Sequence, residues 1–301
     1  MTANRPAWLR WLVPAVAVLA TTAGATALKT AASAEPRLPA RTAAQLLVDL
    51  QTARVDGLSG MVTQRAELGL PSLPGLAGQG SADLSSLISG THTLRVWYSG
   101  PNSARVALLG TLGESDIITN GNDVWIWSSR EKTAKHRVLT DRPEKTSPVD
   151  PARVPMTPQQ AADAALAAVD PTTVVSTAGP VRVAGRAAYE LLLEPRDTAS
   201  LISQVRIAID ADKHVPLRVR VLADGLADPA IEVAFTQVSF ARPGAEHFRF
   251  NPPPGTKVIE EKAEPADAAK KDAAKKDADR APMTVVGQGW TAVLVLSLIH
   301  I

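Results

Sequence analysis

Cysteine is absent from the 301 residues. That omission excludes a disulfide framework, a thiolate zinc or iron–sulfur site, a cysteine nucleophile and a lipid-modified N-terminal cysteine. Aromatic residues make up only 4% of the chain, so the few that occur are worth tracing. Acidic residues are missing from residues 1–34, which carry Arg5, Arg10 and Lys29, whereas residues 260–280 hold seven acids against six bases. The excess behind the formal charge of +2 and the pI of 8.9 therefore sits in the N-terminal stretch, and the remaining body is neutral. A neutral body with no basic stripe between aromatics cannot offset phosphate repulsion over several contacts, which argues against nucleic acid as a partner. Hydrophobic residues, 45% of the chain, suffice for one large domain or two small ones.

What the N-terminus does contain is an export pattern. Arg5 and Arg10 precede the uncharged run Trp11 to Leu28, and Ala32-Ser33-Ala34 supplies small residues for cleavage before Glu35. The basic flank, the missing polar face and Pro14 argue against a buried core helix. Residues 1–34 read as a signal peptide or an uncleaved signal anchor, and either places the body in an extracytoplasmic, periplasm-like space or the cell envelope. With no twin arginine, the general secretory route is the simpler one.

Residues 35–259 read as one domain. Thr42 to Gln51 opens on a capping residue and puts Leu46, Leu47 and Leu50 on one stripe, which predicts an amphipathic helix. The period then changes to two. Strands are expected at Ser59–Leu68, Thr91–Ser99, Ala104–Leu109, Ser115–Thr119, Asp123–Ser128 and His136–Thr140, with a hairpin at Asn120-Gly121-Asn122. A second helix is expected over Thr157–Val169, with Pro158 at its first position and Pro171 beyond its end. Strands resume at Thr173–Val183, Ala187–Glu194, Val205–Asp210, Pro216–Leu222 and Ile231–Phe240. Val205, Ile207 and Ile209 alternate with Gln204, Arg206 and Asp210, and Leu217, Val219 and Val221 with Arg218 and Arg220, so one sheet face is dry and the other wet.

Ten or eleven strands in meander order are too many for a flat open sheet, so a curled one is expected. Two helices offer less apolar area than its dry face displays, which leaves a concave apolar space for something else to fill. Gly69 to Gly90, rich in Gly, Pro, Ser and Leu, reads as a disordered excursion, an apolar flap over that space or a membrane-touching loop. Residues 260–283 read as a charged low-complexity linker. Residues 284–301 form a C-terminal segment in which Thr284–Val295 reads as a strand or the beginning of a hairpin containing Trp290. The terminal Leu296–Ile301 resembles a translated sequencing adaptor, and the natural chain is expected to continue past it.

No catalytic constellation emerges. The five histidines are scattered without metal-ligand spacing, no GxSxG elbow occurs, and Gly78-Gln79-Gly80-Ser81 lacks the Lys-Ser/Thr of a phosphate loop. Asp210-Ala211-Asp212 reads as a hairpin turn, and Glu114 and Asp116 also read as turn residues. The reading is of a non-enzyme, with no cofactor and no metal. The aromatics cluster instead. Trp125 and Trp127 point to one face of a strand whose other face carries Val124 and Ile126, so this strand is expected at the centre of the sheet, with Trp97 and Tyr98 on a neighbour. These tryptophans either fill core or line a cavity.

Taken in order, Gly60 to Gln64, Val96 to Asn102, Asn120 to Trp127 and Phe248 to Val258 resemble the LolA-like family of periplasmic lipoprotein carriers, and also its RseB/MucB relatives, sensors that restrain anti-sigma factor cleavage. The resemblance covers about residues 40–260. It implies a mainly β (α+β) fold, an unclosed antiparallel β-barrel with two helices covering the concave apolar face over a lipid-binding cavity. The carriers latch that lid with an arginine just before a Pro-Asn pair, a position held here by Gly100. The resemblance thus implies the cavity but not the latch-and-release cycle. Its expected ligands are lipid or lipoprotein acyl chains, with Leu46, Leu47, Leu50, Trp97, Trp125, Trp127, Phe235 and Phe240 as candidate lining. The alternative is an RseB-type regulator that docks on a membrane anti-sigma factor.

Overall fold

The computed structural model describes residues 36–67, 90–139, 157–167, 169, 171–261, 283–286, 289–291 and 293–296. The export segment, nearly all of Gly69–Gly90 and the charged stretch 262–282 lie outside the described residues. Among the described residues no helix is long and apolar enough to cross a membrane.

Both helices start where capping chemistry dictates. In α1 (Ala43–Thr52) the Thr42 hydroxyl accepts the Gln45 amide at 3.3 Å, and the Gln45 side-chain oxygen accepts the Thr42 amide at 2.9 Å. The same reciprocal box starts α2 (Pro158–Ala167), where Thr157 and Gln160 exchange bonds of 3.2 and 3.1 Å ahead of the proline at the first helical position. Four orphan amides thereby find partners from sequence-local side chains.

The strands are β1 (Leu58–Ala66), β2 (Gly90–Tyr98), β3 (Ser103–Gly110), β4 (Gly113–Asn120), β5 (Asp123–Ser128), β6 (Thr133–Val138), β7 (Thr173–Val183), β8 (Arg186–Pro195), β9 (Ile202–Asp210), β10 (Pro216–Ala223), β11 (Ile231–Ser239) and β12 (Lys257–Glu261). They form one open sheet in the order β12-β6-β5-β4-β3-β2-β1-β11-β10-β9-β8-β7. Among the described residues the fold is mainly β with two α-helices on one face, an unclosed half-barrel whose terminal strands β12 and β7 do not pair. Asn120-Gly121 turns β4 into β5 with Gly121 at φ +59, as a tight hairpin requires.

Three features depart from the sequence expectation. The sheet is two meanders joined through β1 and β11, so the connection from β6 through α2 carries the chain to the opposite edge. A twelfth strand, β12, runs parallel to β6, and its Glu260 and Glu261 belong to the stretch expected as linker. A five-residue strand running into a low-complexity tract offers too little alternation to be recognised. Finally, β5 is not central but third from the β12 edge, and Ile126 on it is 38% exposed. Its two apolar faces arise because each face meets a different partner, as described below.

Helix α1 lies against β7 and β8, and α2 against β10 and β11. Under them Leu46, Leu94, Leu108, Leu191, Leu193, Ile207 and Leu217 are fully buried. Each such side chain contributes about 1.5 to 3 kcal/mol relative to exposure. The expected alternation holds here: Val205, Ile207, Val219 and Val221 line the helix side, while Arg206, Arg218 and Arg220 occupy the other. Beyond the charged stretch, Met283–Val286 (β13) and Val293–Leu296 (β14) form an antiparallel hairpin. Between them the Trp290 indole N–H donates to Thr173 Oγ1 at 2.7 Å, and its carbonyl accepts the Ser200 hydroxyl at 3.1 Å.

Candidate functional site

The register divides the expected lining residues between two faces. Val62 opposes Leu94 and Phe235, Leu94 opposes Leu108, and Val96 opposes Val106. These residues look toward the helices and define the inner face. Leu46, Leu50 and Phe235 are buried in that core, with Leu47 and Phe240 packed against it. Trp97 alternates with Leu94 and Val96 and so belongs to the outer face, where Arg105 stands opposite it on β3. Continuing across β4, Ile118 opposes both Arg105 and Trp125, and Asp116 opposes Trp127. All three tryptophans therefore lie on the face away from Leu46, Leu47, Leu50, Phe235 and Phe240, and one cavity cannot be lined by the whole set. The physical reason is parity: side chains on a strand alternate between faces, and aromatic identity alone carries no information about which face is covered.

The outer face around the tryptophans has its own cover, which composition did not reveal. After β11 the chain passes over β3 and β4 as the short 3-10 turn Ala245–Phe248, burying Phe248 to 3% exposure. His247 stacks on Trp97 with ring centroids 5.5 Å apart, and Phe250 meets Trp125 at 5.0 Å and Trp127 at 6.0 Å. Offset and tilted rings at these spacings add to the area they bury. The Phe248-Arg249-Phe250 motif is thus what makes β5 apolar on its second face.

Beneath this cover lies a charge cluster. Asp116, 1% exposed, is not a turn residue but sits within β4, as does Glu114. Arg105 donates to Asp116 at 2.6 Å and reaches Glu114 at 3.5 Å, with its guanidinium 5.2 Å from the Trp97 ring. Burial pushes the Asp116 carboxyl up to about 6, Arg105 opposing the shift and Glu114 adding to it. Asp210, by contrast, behaves as expected at its hairpin: it accepts the backbone amides of Asp212 at 3.1 Å and Lys213 at 2.7 Å and pairs with Arg186. Its burial favours the neutral form, but these partners outweigh it and hold the carboxyl below its ordinary value.

A second outer-face cluster ties down β12. His136 on β6 stacks on Trp125 at 4.1 Å, its Nδ1 lies 2.8 Å from Glu260 and its Nε2 3.0 Å from Asp123. Partial burial disfavours the imidazolium, yet bonds to Asp123 and Glu260 outweigh it and raise the pKa above the usual histidine value. A raised histidine pKa stabilises the fold fully below pH about 6.5, and that contribution is lost as pH rises through the folded-state value. Above it only one ring nitrogen can donate, so β12 should loosen from β6. Amide exchange at Ile259 and Glu261, taken relative to the intrinsic rate at each pH, is expected to accelerate across that titration in the native chain and to lose the pH step in His136→Phe.

Among the described residues no group of His, Asp and Glu is placed to hold a metal ion. Gly100, which the sequence resemblance aligns with an arginine of the carriers, lies at φ +70 in the β2 to β3 turn closed by the Ser99 amide on the Ser103 carbonyl at 2.8 Å. That backbone conformation strains any residue with a side chain.

No protein-family model and no curated protein matches the sequence. Among solved structures, the chain is similar to an uncharacterized conserved protein from Thermus thermophilus at 12% identity and a TM-score of 0.41, over 73% of this chain and 99% of that one. It is also similar to MucB of Pseudomonas aeruginosa, solved as the MucA/MucB complex, at 19% identity and a TM-score of 0.41. That similarity covers 69% of this chain and 61% of the other. A LolA superfamily protein from Nitrosomonas europaea is similar at 12% identity and a TM-score of 0.25, over 70% of this chain and 99% of that one.

Proposed function

We propose that the chain is a non-enzymatic, extracytoplasmic carrier or sensor that holds the acyl chains of lipids or lipoproteins against the inner sheet face. One observation carries the reading. Val96, Val106, Ile117 and Ile126 oppose one another strand by strand across β2 to β5, and from Val106 onward the row is only partly buried. Three inter-strand steps make this apolar track about 14 Å long. It ends on β6 at the exposed Lys135, opposite Ile126, with Arg137 two residues on. An apolar track ending in cations suits an acyl chain with an anionic head. Leu47 and Phe240, only partly buried, remain the proposed lining toward the helices, whereas Leu46, Leu50 and Phe235 are buried within the core itself.

Ten buried methylenes would contribute about 8 kcal/mol before ordering costs, near micromolar affinity, which suits a protein that must also release its cargo. Gently purified protein is expected to carry lipid by mass spectrometry and to take up a fluorescent fatty acid saturably. Ile126→Asp, at a position that already tolerates solvent, should weaken that uptake about tenfold by putting a carboxylate beside the chain. No co-purifying lipid together with no saturable uptake would overturn the proposal.

The second reading is a regulator that binds the extracytoplasmic part of a membrane anti-sigma factor. It is favoured by a groove on the outer face, remote in parity from the acyl track, lined by Ser59, Gly60, Met61, Arg95, Trp97 and Gln237.

A further inference from the structure

We propose that the outer-face groove at Trp97 binds an acidic peptide segment, with Arg95 receiving a carboxylate and the indole receiving the aliphatic stem beside it. The inference names a recognition chemistry that the regulatory reading could use, but stands without it, since an acidic peptide can come from other sources. It is independent of the acyl-chain reading, which concerns the opposite face.

The outer face is rich in arginine. Strands β1, β2, β3, β9 and β10 carry Arg65, Arg95, Arg105, Arg206, Arg218 and Arg220. Five of these have a carboxylate within the ion-pair distance: Arg65 with Glu67, Arg105 with Asp116, Arg206 and Arg218 with Glu190, and Arg220 with Glu232. Arg95 is exposed and, among the described residues, has no such partner. Among the arginines of these five strands Arg95 alone is unmatched, and it lines the groove. Arg242, at the same end of the sheet, donates to Ser99 at 2.8 Å and likewise has no carboxylate among the described residues. Arg95 and Arg242 thus place two unmatched cations at this end of the sheet, where Glu246 lies 3.7 Å from His247.

The groove is also built to hold a shape. Its cavity volume is about 380 Å³, room for a few side chains. The Trp97 ring is stacked on His247 and flanked by Arg105, itself fixed by Asp116, so the indole is ordered before anything binds. Arg95 stands 5.8 Å from the same ring. At this point β11 is bulged against Met61 and Val62, and Thr236 donates to the Met61 carbonyl at 3.2 Å, which breaks the regular pairing at the groove wall. A guanidinium beside an indole and Met61 fits a carboxylate on a short aliphatic stem, as in glutamate, better than a bare inorganic anion.

The probe is a capped peptide of alternating leucine and glutamate, titrated into the full chain at low and moderate salt and followed by calorimetry and tryptophan fluorescence. Saturable binding that weakens with salt is expected. Arg95→Ser and Trp97→Ala should each reduce affinity about tenfold, while Ile126→Asp on the inner face should leave it unchanged. Equal urea midpoints for Arg95→Ser and the native chain would establish that its loss is not unfolding. The proposal is overturned if the peptide shows no saturable binding, if Arg95→Ser binds as well as the native chain, or if free glutarate or phosphatidylglycerol vesicles bind at Arg95 and the peptide does not. Peptide binding without capture of a membrane regulator would sink the regulatory reading and leave this one standing.

Discussion

Replacing Arg105 by alanine is expected to destabilise the fold by about 3 kcal/mol, the lower part of the range for stripping one partner from a buried ion pair. The lower part applies because the Arg105 side chain is 23% exposed, while Asp116 is only 1% exposed. Asp116 would be left facing Glu114 with no cation, and the Trp97 ring would lose the guanidinium beside it. The penalty has a pH signature. The Asp116 pKa is already raised in the folded state, from the ordinary carboxylate value to about 6. Stability from this group is therefore fully present below about pH 4 and is lost as pH rises through about 6. Without Arg105 the carboxyl should retain its proton to still higher pH, so the variant's deficit should be largest near pH 8 and shrink toward pH 5. Urea midpoints of both proteins across that range test this, and a deficit independent of pH would show that packing rather than charge is what Arg105 supplies.

That cluster also shows where the sequence stopped being informative. Alternation located the strands well, because Val205, Ile207 and Ile209 against Gln204 and Arg206 can be satisfied only by a sheet with one dry face. Capping chemistry located both helix starts for the same reason: Thr42 with Gln45 and Thr157 with Gln160 are local signals requiring no tertiary information. Face assignment at the aromatic strands was different. In β5 both faces are apolar, so periodicity could not tell that Trp125 and Trp127 lie under Phe250 while Val124 and Ile126 lie on the helix side. Phe250 follows Trp127 by more than a hundred residues, and no spacing rule joins them. Asp116 was hidden by the converse problem. A carboxylate beside glycine and serine reads as a turn unless the arginine diagonal to it on β3, eleven residues earlier, is known to point the same way. Strand β12 was invisible because its stability comes from β6 and the His136 bridge rather than from its own five residues.

Leu46 separates two meanings of a buried leucine on a covering helix. It is 1% exposed, within the cluster that contains Leu94, Leu191 and Phe235. If it is core, Leu46→Ala removes three buried carbons and leaves a cavity, at a cost of about 2 to 5 kcal/mol depending on how far the helix can settle. If it instead lines an acyl site that is solvated when unliganded, the same change should cost little in stability and should weaken lipid uptake. The burial of its whole side chain favours the first outcome: a urea midpoint shifted by the full core penalty, with fatty-acid uptake preserved or even enhanced by the added volume under α1. Leu47, one position along and only partly buried, supplies the internal comparison. Leu47→Ala should cost about 1 kcal/mol or less, and where it does affect uptake it should reduce it. Measuring both midpoints and both uptake curves therefore assigns each leucine to core or to lining. The reverse pattern, a stable Leu46→Ala that no longer takes up fatty acid, would mean that the core beneath α1 is part of the binding site and that α1 must move for the site to fill.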